Sequence, residues 1–227
     1  ESDNDRYQTI YASPAGSVAA PTAGLHFTPE LTKQLKASGI RTEEVTLHVG
    51  LGTFRPVTAA RITEHVMHHE RIMVEIQLIE ALIEKVGRDI VAVGTTAART
   101  LESVYWAGCL AIENPGSIIS GIPQWIPYNS TGKPVIPARK ALEGLLAHLG
   151  RNGLDRFETD TSLIIVPGYR YRIVTGLVTN FHMPRSTLLL LVAALAGSGW
   201  RDTYAYALSN SFRFLSYGDA CLYLKQP

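Results

Sequence analysis

The sequence predicts an α/β protein, a three-layer open mixed sheet with helices on both faces. Three observations lead there. Short β-branched runs alternate with stretches of helical apolar spacing, in the order αβ, βα, βα through the first half. No heptad and no internal repeat competes with that rhythm. The 227 residues are 46% hydrophobic, enough for a sizeable core. At about 150 residues per domain this length allows one large domain or two small ones. The reading taken is a single α/β catalytic domain over 1–227, interrupted by a proline- and glycine-rich excursion at about 113–160.

The elements follow in order. Thr28, Pro29, Leu31, Leu35 and Gly39 read as N-cap, first turn, apolar stripe and C-terminal glycine, so 29–38 is a short helix. Val45, Leu47 and Val49 alternate within a strand over 40–49, and a glycine-rich loop over 50–56 follows. An extended segment near 71–75 leads into a helix over 78–86 that Gly87 ends. The run 89–93 is β-branched and reads as a buried strand, with a helix over 95–106 after it. Five prolines and three glycines then remove any period from 113 to 137. A helix over 138–150 resumes the pattern. Strands are expected at 162–166 and 171–174, the latter in a hairpin with 177–181 across Thr175-Gly176. Ser186 caps an apolar helix to Ala196, 203–208 is a further helix, and 220–224 is a closing strand.

Charge and composition exclude several classes. Lys and Arg number 21 against 20 Asp and Glu, so bulk positive charge does not hold this chain to nucleic acid. The balance is uneven, however: residues 151–227 carry 8 basic and 5 acidic groups, and the basic ones are nearly all arginines, whose planar fork suits phosphate. A solvated face is the plainer alternative. Cys109 and Cys221 form neither a disulfide framework nor a zinc ribbon, which points to a reducing, cytoplasmic setting. The longest apolar run, Leu188–Gly197, is about half of the ~20 residues that a membrane span needs, so no membrane association is expected. The polar opening Glu1–Asp5, without an initiator Met or a signal pattern, suggests that something upstream is not included.

Ligands of open α/β sheets sit beyond the carboxyl ends of strands, and polar clusters fall there. Gly94-Thr95-Thr96 with Arg99 is a tight turn into a helix whose free N–H groups favour an anion. It is also what an ordinary helix cap looks like, and it is neither a dinucleotide fingerprint nor a P-loop. In 65–70, period 2 puts His68 and Glu70 on one face if the segment is extended, where a carboxylate would orient a base. A metal site or a polar strand edge are the competing readings of this stretch. Asn180 and His182 share a face at the end of a strand, and Arg185 follows them. Gly218 allows an unusual turn beside Tyr217 and Asp219, whose carboxylate can accept from a ribose hydroxyl. His26 and His48 each lie beside glycine-permissive backbone.

Together these stretches resemble the S-adenosylmethionine:tRNA ribosyltransferase-isomerases of queuosine biosynthesis. The resemblance rests on 6–12, on Gly16–Thr28, on Val45–Val57, on the His65/Met67/His68/Glu70 pattern, and on Gly94-Thr95-Thr96 with Arg99–Glu102. It continues in Pro167-Gly168-Tyr169, in Thr179–His182 through Leu190, and in Ser216–Ala220. It covers most of 6–112 and 162–224.

The resemblance implies transfer and isomerisation of the ribosyl part of S-adenosylmethionine onto 7-aminomethyl-7-deazaguanine at the tRNA wobble position. Epoxyqueuosine-tRNA, adenine and methionine are the products, and S-adenosylmethionine is a co-substrate, with no resident cofactor and no metal. On that reading His68 oriented by Glu70 is the leading base candidate. His48, His26 and His182 are alternatives for protonating adenine or contacting the base. Thr95, Thr96, Asn180, Tyr217 and Asp219 are candidates for the ribose or methionine parts. Arg55, Arg99, Arg185 and Arg213 are candidates for tRNA phosphates or the methionine carboxylate.

Two departures from the family pattern stand out. An upstream segment with an inserted six-stranded β-barrel is expected to be absent here, and the 113–160 stretch is long, with Trp125 and Tyr128 as an aromatic patch that reads equally as a nucleobase-stacking surface, an apolar lid or a dimer contact. A catalytically impaired tRNA- or S-adenosylmethionine-binding remnant is the alternative function. An ordinary methyltransferase is disfavoured, because no glycine-rich loop follows a first strand.

Overall fold

Thr28 opens the first helix as its position before Pro29 predicts, in a computed structural model that describes residues 22–48, 58–129, 132 and 134–225. Its hydroxyl accepts from the Leu31 N–H at 3.2 Å, and helix α1 runs Pro29–Ala37, with none of its residues buried. Among the described residues strand β1 runs Thr46–His48, so 40–45 of the expected 40–49 are not strand. Strand β2, Glu70–Glu75, passes directly into α2, Ile76–Lys85, whose Leu78, Ile79 and Leu82 face the core. After β3, Val91–Val93, Gly94 turns at φ 94° into α3, Thr95–Glu113, seven residues longer than the expected 95–106.

The long excursion is stitched to the body. Its first part, up to Pro137, has one helical turn among the described residues, α4, Ile126–Asn129. Ile122 is buried, and its N–H donates to the Asp160 carbonyl while its own carbonyl accepts from the Ser162 N–H. Gln124 pins another segment: its Oε1 accepts from the Met67 N–H at 3.0 Å and its Nε2 donates to the His65 carbonyl at 2.7 Å. The Tyr128 hydroxyl donates to the Ile164 carbonyl and accepts from the Val166 N–H, and its ring meets Trp125 edge-on at 5.5 Å. Both rings are half-buried in the excursion.

The remaining elements are α5, Ala138–Arg151; β4, Arg156–Thr161; β5, Gly176–Asn180; α6, Thr187–Ala196; α7, Trp200–Ser209; and β6, Ala220–Leu224. Among the described residues the strands form two three-stranded sheets instead of one open sheet. In the first, β2 is central and antiparallel to β1 and β4, with Glu70 opposite Thr161. In the second, β5 is central, parallel to β3 and antiparallel to β6. The architecture is α/β with helices, but its mixed sheet is this second one.

Helix α3 joins the parts. Fourteen of its nineteen residues are buried. It meets α5 at Gly108, where a β-carbon would lie only 2.0 Å from the Ala141 carbonyl oxygen, so glycine is what lets the two backbones approach. Leu142, Leu145 and Leu149 of α5 are fully buried, each worth about 1.5–3 kcal/mol of apolar transfer.

The expected hairpin of 171–174 with 177–181 is not formed. The Glu102 carboxylate, fully buried on α3, accepts from the N–H groups of Arg172, Ile173 and Val174 at 2.9 Å each and from the Tyr169 hydroxyl at 2.6 Å. Those N–H groups are therefore unavailable to a strand ladder. The alternation of Tyr171 and Ile173 that suggested a strand reflects burial of an irregular segment. No described helix is long and apolar enough to cross a membrane.

Candidate functional site

The parallel pair β3 and β5 directs its carboxyl ends to one place. Gly94, at the end of β3, donates its N–H to the Val178 carbonyl at 2.8 Å, and a short 3-10 helix, Thr22–His26, packs over the turn with the Ala23 methyl 4.0 Å from where a Gly94 β-carbon would be. Thr95 and Thr96 open α3 there, Thr95 buried and Thr96 half-buried, with Gly94 as an N-cap that has no side chain to satisfy the first N–H groups.

Asn180 ends β5 and is 3% exposed. Its amide nitrogen lies 3.3 Å from His26 Nε2 and donates to the Gly218 carbonyl at 3.2 Å, and its oxygen accepts from the Thr22 hydroxyl at 3.1 Å. The structure thus brings His26 to Asn180, 154 residues away in the chain, and Asn180 to the Gly218-Asp219 turn, 38 residues further on. Gly218 is required sterically: a β-carbon there would sit 2.5 Å from the Arg213 carbonyl oxygen.

Arg213 closes the same turn. Its backbone N–H and guanidinium donate to the two Asp219 oxygens at 2.8 and 2.9 Å. Those hydrogen bonds hold the Asp219 carboxyl below its ordinary value, with a smaller contribution from nearby His26. Arg213 is therefore already engaged by Asp219, a partner that its reading as a phosphate ligand did not include. Tyr217 is exposed beside them.

His182 does not share the Asn180 contacts. Its Nε2 lies 2.8 Å from the Thr179 hydroxyl, and its backbone N–H donates to the Tyr204 hydroxyl at 2.8 Å. Burial pushes its imidazole down to about 4, so the ring is neutral at pH 7 and holds no spare proton for a leaving group. The unfolded chain takes up that proton near pH 6.5 and the folded one does not, so stability falls as pH drops from about 6.5 to about 4. At about 1.4 kcal/mol per pH unit the loss is about 2–4 kcal/mol. Urea unfolding across this range is expected to show that slope, and His182→Asn to flatten it.

His68 and Glu70 do not form a shared face. β2 begins only at Glu70, so the period-2 alternation does not reach back to His68, which is exposed while Glu70 is buried. The Glu70 carboxylate is ion-paired with the guanidinium of Arg99, which is itself buried. Ser103, one turn further along α3, donates to the Arg99 carbonyl and meets the Thr161 hydroxyl at 2.8 Å. Arg99 therefore ties α3 to the first sheet. His48 stands opposite Arg71 in β1, and its side chain lies outside the described residues, as does Arg55.

Arg185 adopts φ 58°, a conformation uncommon outside glycine, as the chain enters α6 through the Ser186 cap. It lines an open cleft of about 1120 Å³ between 58–62, 167–168 and the α6–α7 corner. Arg201, whose guanidinium lies 4.8 Å over the Trp200 ring, lines it too, with Leu189 and Leu190 as apolar wall. Arg201 entered the sequence reading only as one of the arginines of 151–227 that suit phosphate, and Trp200 not at all, because they lie inside a helix, away from any strand end. Thr22 was quoted only as part of a motif; its role appears only when β5 is placed beside it.

Residues 1–223 match the family model described as queuosine biosynthesis protein. The S-adenosylmethionine:tRNA ribosyltransferase-isomerase of Nitrosomonas europaea is 40% identical over 229 residues, covering 100% of this chain and 53% of the relative. That of Desulfitobacterium hafniense is 42% identical over 229 residues, covering 98% and 53%. The crystal structure of the S-adenosylmethionine tRNA ribosyltransferase from Thermotoga maritima superposes with a TM-score of 0.56 at 33% identity, over 88% of this chain and 50% of that one. The chain spans about half the length of the curated relatives it matches. With the match running through nearly all of its residues, the chain belongs to the queuosine biosynthesis protein family.

Proposed function

We propose that this chain supplies the nucleoside-handling part of an S-adenosylmethionine:tRNA ribosyltransferase-isomerase. Its ribosyl acceptor would be the 7-aminomethyl-7-deazaguanine of a tRNA wobble position, with epoxyqueuosine, adenine and methionine as products. The single observation that carries this reading is the convergence of His26, Asn180 and Asp219 at the carboxyl ends of β3 and β5, where ligands of such sheets bind. The relatives' names support it.

The chemistry asks little acidity of the protein at the start. A sulfonium acidifies the protons of the adjacent 5′ carbon, so a modest base suffices. The later demands are oriented donors and acceptors for the sugar and purine, and exclusion of water while adenine and methionine leave. The Thr95/Thr96 helix opening and the Asp219 turn can hold ribose hydroxyls, and Arg185 and Arg201 flank a cleft suited to tRNA phosphates. His68, exposed beside the first sheet, remains the base candidate only if tRNA covers that edge.

Product analysis tests the proposal. The chain incubated with S-adenosylmethionine and tRNA bearing the deazaguanine precursor is expected to release adenine and methionine. S-Adenosylhomocysteine instead would show a methyltransferase, and binding without products would show the impaired remnant.

A further inference from the structure

Asn180 is spent on the protein itself, and the direction of each of its hydrogen bonds can be settled. The Gly218 carbonyl can only accept, so the group 3.2 Å from it must be the amide nitrogen. The opposite end of the amide then faces the Thr22 hydroxyl as an acceptor, at 3.1 Å. With both roles fixed, the second hydrogen on the amide nitrogen points to His26 Nε2 at 3.3 Å. An amide nitrogen has no lone pair to offer, so Nε2 must supply one.

We propose that Asn180 is a positioning residue that holds His26 as the neutral tautomer protonated on Nδ1, so that His26 meets the nucleoside as a hydrogen-bond donor and not as a base. Protonating Nε2 would set N–H against N–H inside a network that is almost wholly buried at Asn180. The lone pair of the ring is occupied by Asn180, and what remains is the Nδ1–H of an exposed imidazole. The ligand atom that meets it must be an acceptor, such as a purine ring nitrogen or a ribose oxygen.

The charged group near His26 is Asp219, which is itself held by Arg213. The choice of nucleoside as ligand rests on the function proposed above; the tautomer does not.

Nitrogen-15 NMR of the histidine-labelled chain tests both parts, with the His26 signals identified by their loss in His26→Gln. At pH 7.5 the wild-type spectrum is expected to show a lone-pair-bearing Nε2 and a protonated Nδ1. A protonated Nε2 overturns the proposal, and this wild-type result does not depend on any variant folding. In Asn180→Asp a carboxylate replaces the donor, so the tautomer is expected to switch and the His26 titration midpoint to rise by at least one pH unit, a tenfold change in proton affinity. An unchanged tautomer and midpoint in a folded Asn180→Asp would also overturn it. Addition of S-adenosylmethionine is expected to move the Nδ1 signal and leave the Nε2 type unchanged. A silent Nδ1 with the tautomer as stated would count against the nucleoside assignment and the site reading, and would leave the positioning role of Asn180 standing.

Discussion

Glu102→Ala is expected to lower the unfolding free energy by about 3–5 kcal/mol, the cost of leaving buried donors without their charged acceptor. Four hydrogen bonds converge on this one carboxylate, three of them from consecutive backbone N–H groups that have no ladder to return to. Total stabilities run at about 5–15 kcal/mol, so the change removes a large share of the fold's margin. The damage should be local first. The 169–174 segment carries Tyr171, Ile173 and Val174 into the core and leads into β5, on which Asn180 is mounted. Hydrogen exchange is the discriminating measurement: the amides of 172–174 should lose protection in Glu102→Ala while those of β2 and β4 keep theirs. Equal protection at 172–174 in the variant would mean that the carboxylate is not what holds the segment.

Arg99→Met carries the second large effect. Removing one member of a buried ion pair costs about 3–5 kcal/mol, because the other loses that attraction in a medium that solvates it poorly. Here Glu70, 3% exposed at the start of β2, loses the guanidinium it is ion-paired with. Replacing both, as Glu70→Leu/Arg99→Met, removes that buried charge as well and is expected to recover part of the loss, measured by chemical unfolding of the two variants side by side. A single Arg99→Met of native stability that fails to bind S-adenosylmethionine or tRNA would instead return Arg99 to the ligand site that the sequence suggested for it.

These residues show where sequence legibility ends. The Thr28 and Ser186 caps, the Gly94 turn and the α2, α5 and α6 apolar stripes were readable because each is decided within four residues of chain. What was misread depends on distant partners. The alternation in 171–174 is real, but Glu102, about seventy residues away, takes its N–H groups. Strand β4 was missed because Arg156–Thr161 is largely polar, and its outward residues meet charge on β2, as Arg71 does with Glu158 at 2.8 Å. The His68–Glu70 pair failed by a boundary of two residues, since a strand that starts at Glu70 gives no periodicity to what precedes it.

The candidate site divides in the same way. General α/β logic pointed to 94–96, 180–182 and 216–220, and the structure brings Gly94 to β5 and Asn180 to Gly218. Roles within them were not readable. Asn180, a candidate for the ribose or methionine parts, hydrogen-bonds to Thr22, His26 and Gly218 of the protein itself. His182 looked like a proton donor and is kept neutral by burial.

The most direct test follows the sugar. The chain is mixed with S-adenosylmethionine carrying label in the ribosyl carbons and with tRNA bearing the 7-aminomethyl-7-deazaguanine precursor, and label bound to the wobble nucleoside is counted for wild type and for His26→Ala. The wild-type chain should place ribosyl label on the tRNA, and His26→Ala, folded to the same unfolding midpoint, should lose at least tenfold of that rate, or about 1.4 kcal/mol of transition-state stabilisation. Equal transfer by His26→Ala, or a wild-type chain that marks tRNA with a methyl label and never with the ribosyl one, would contradict the account.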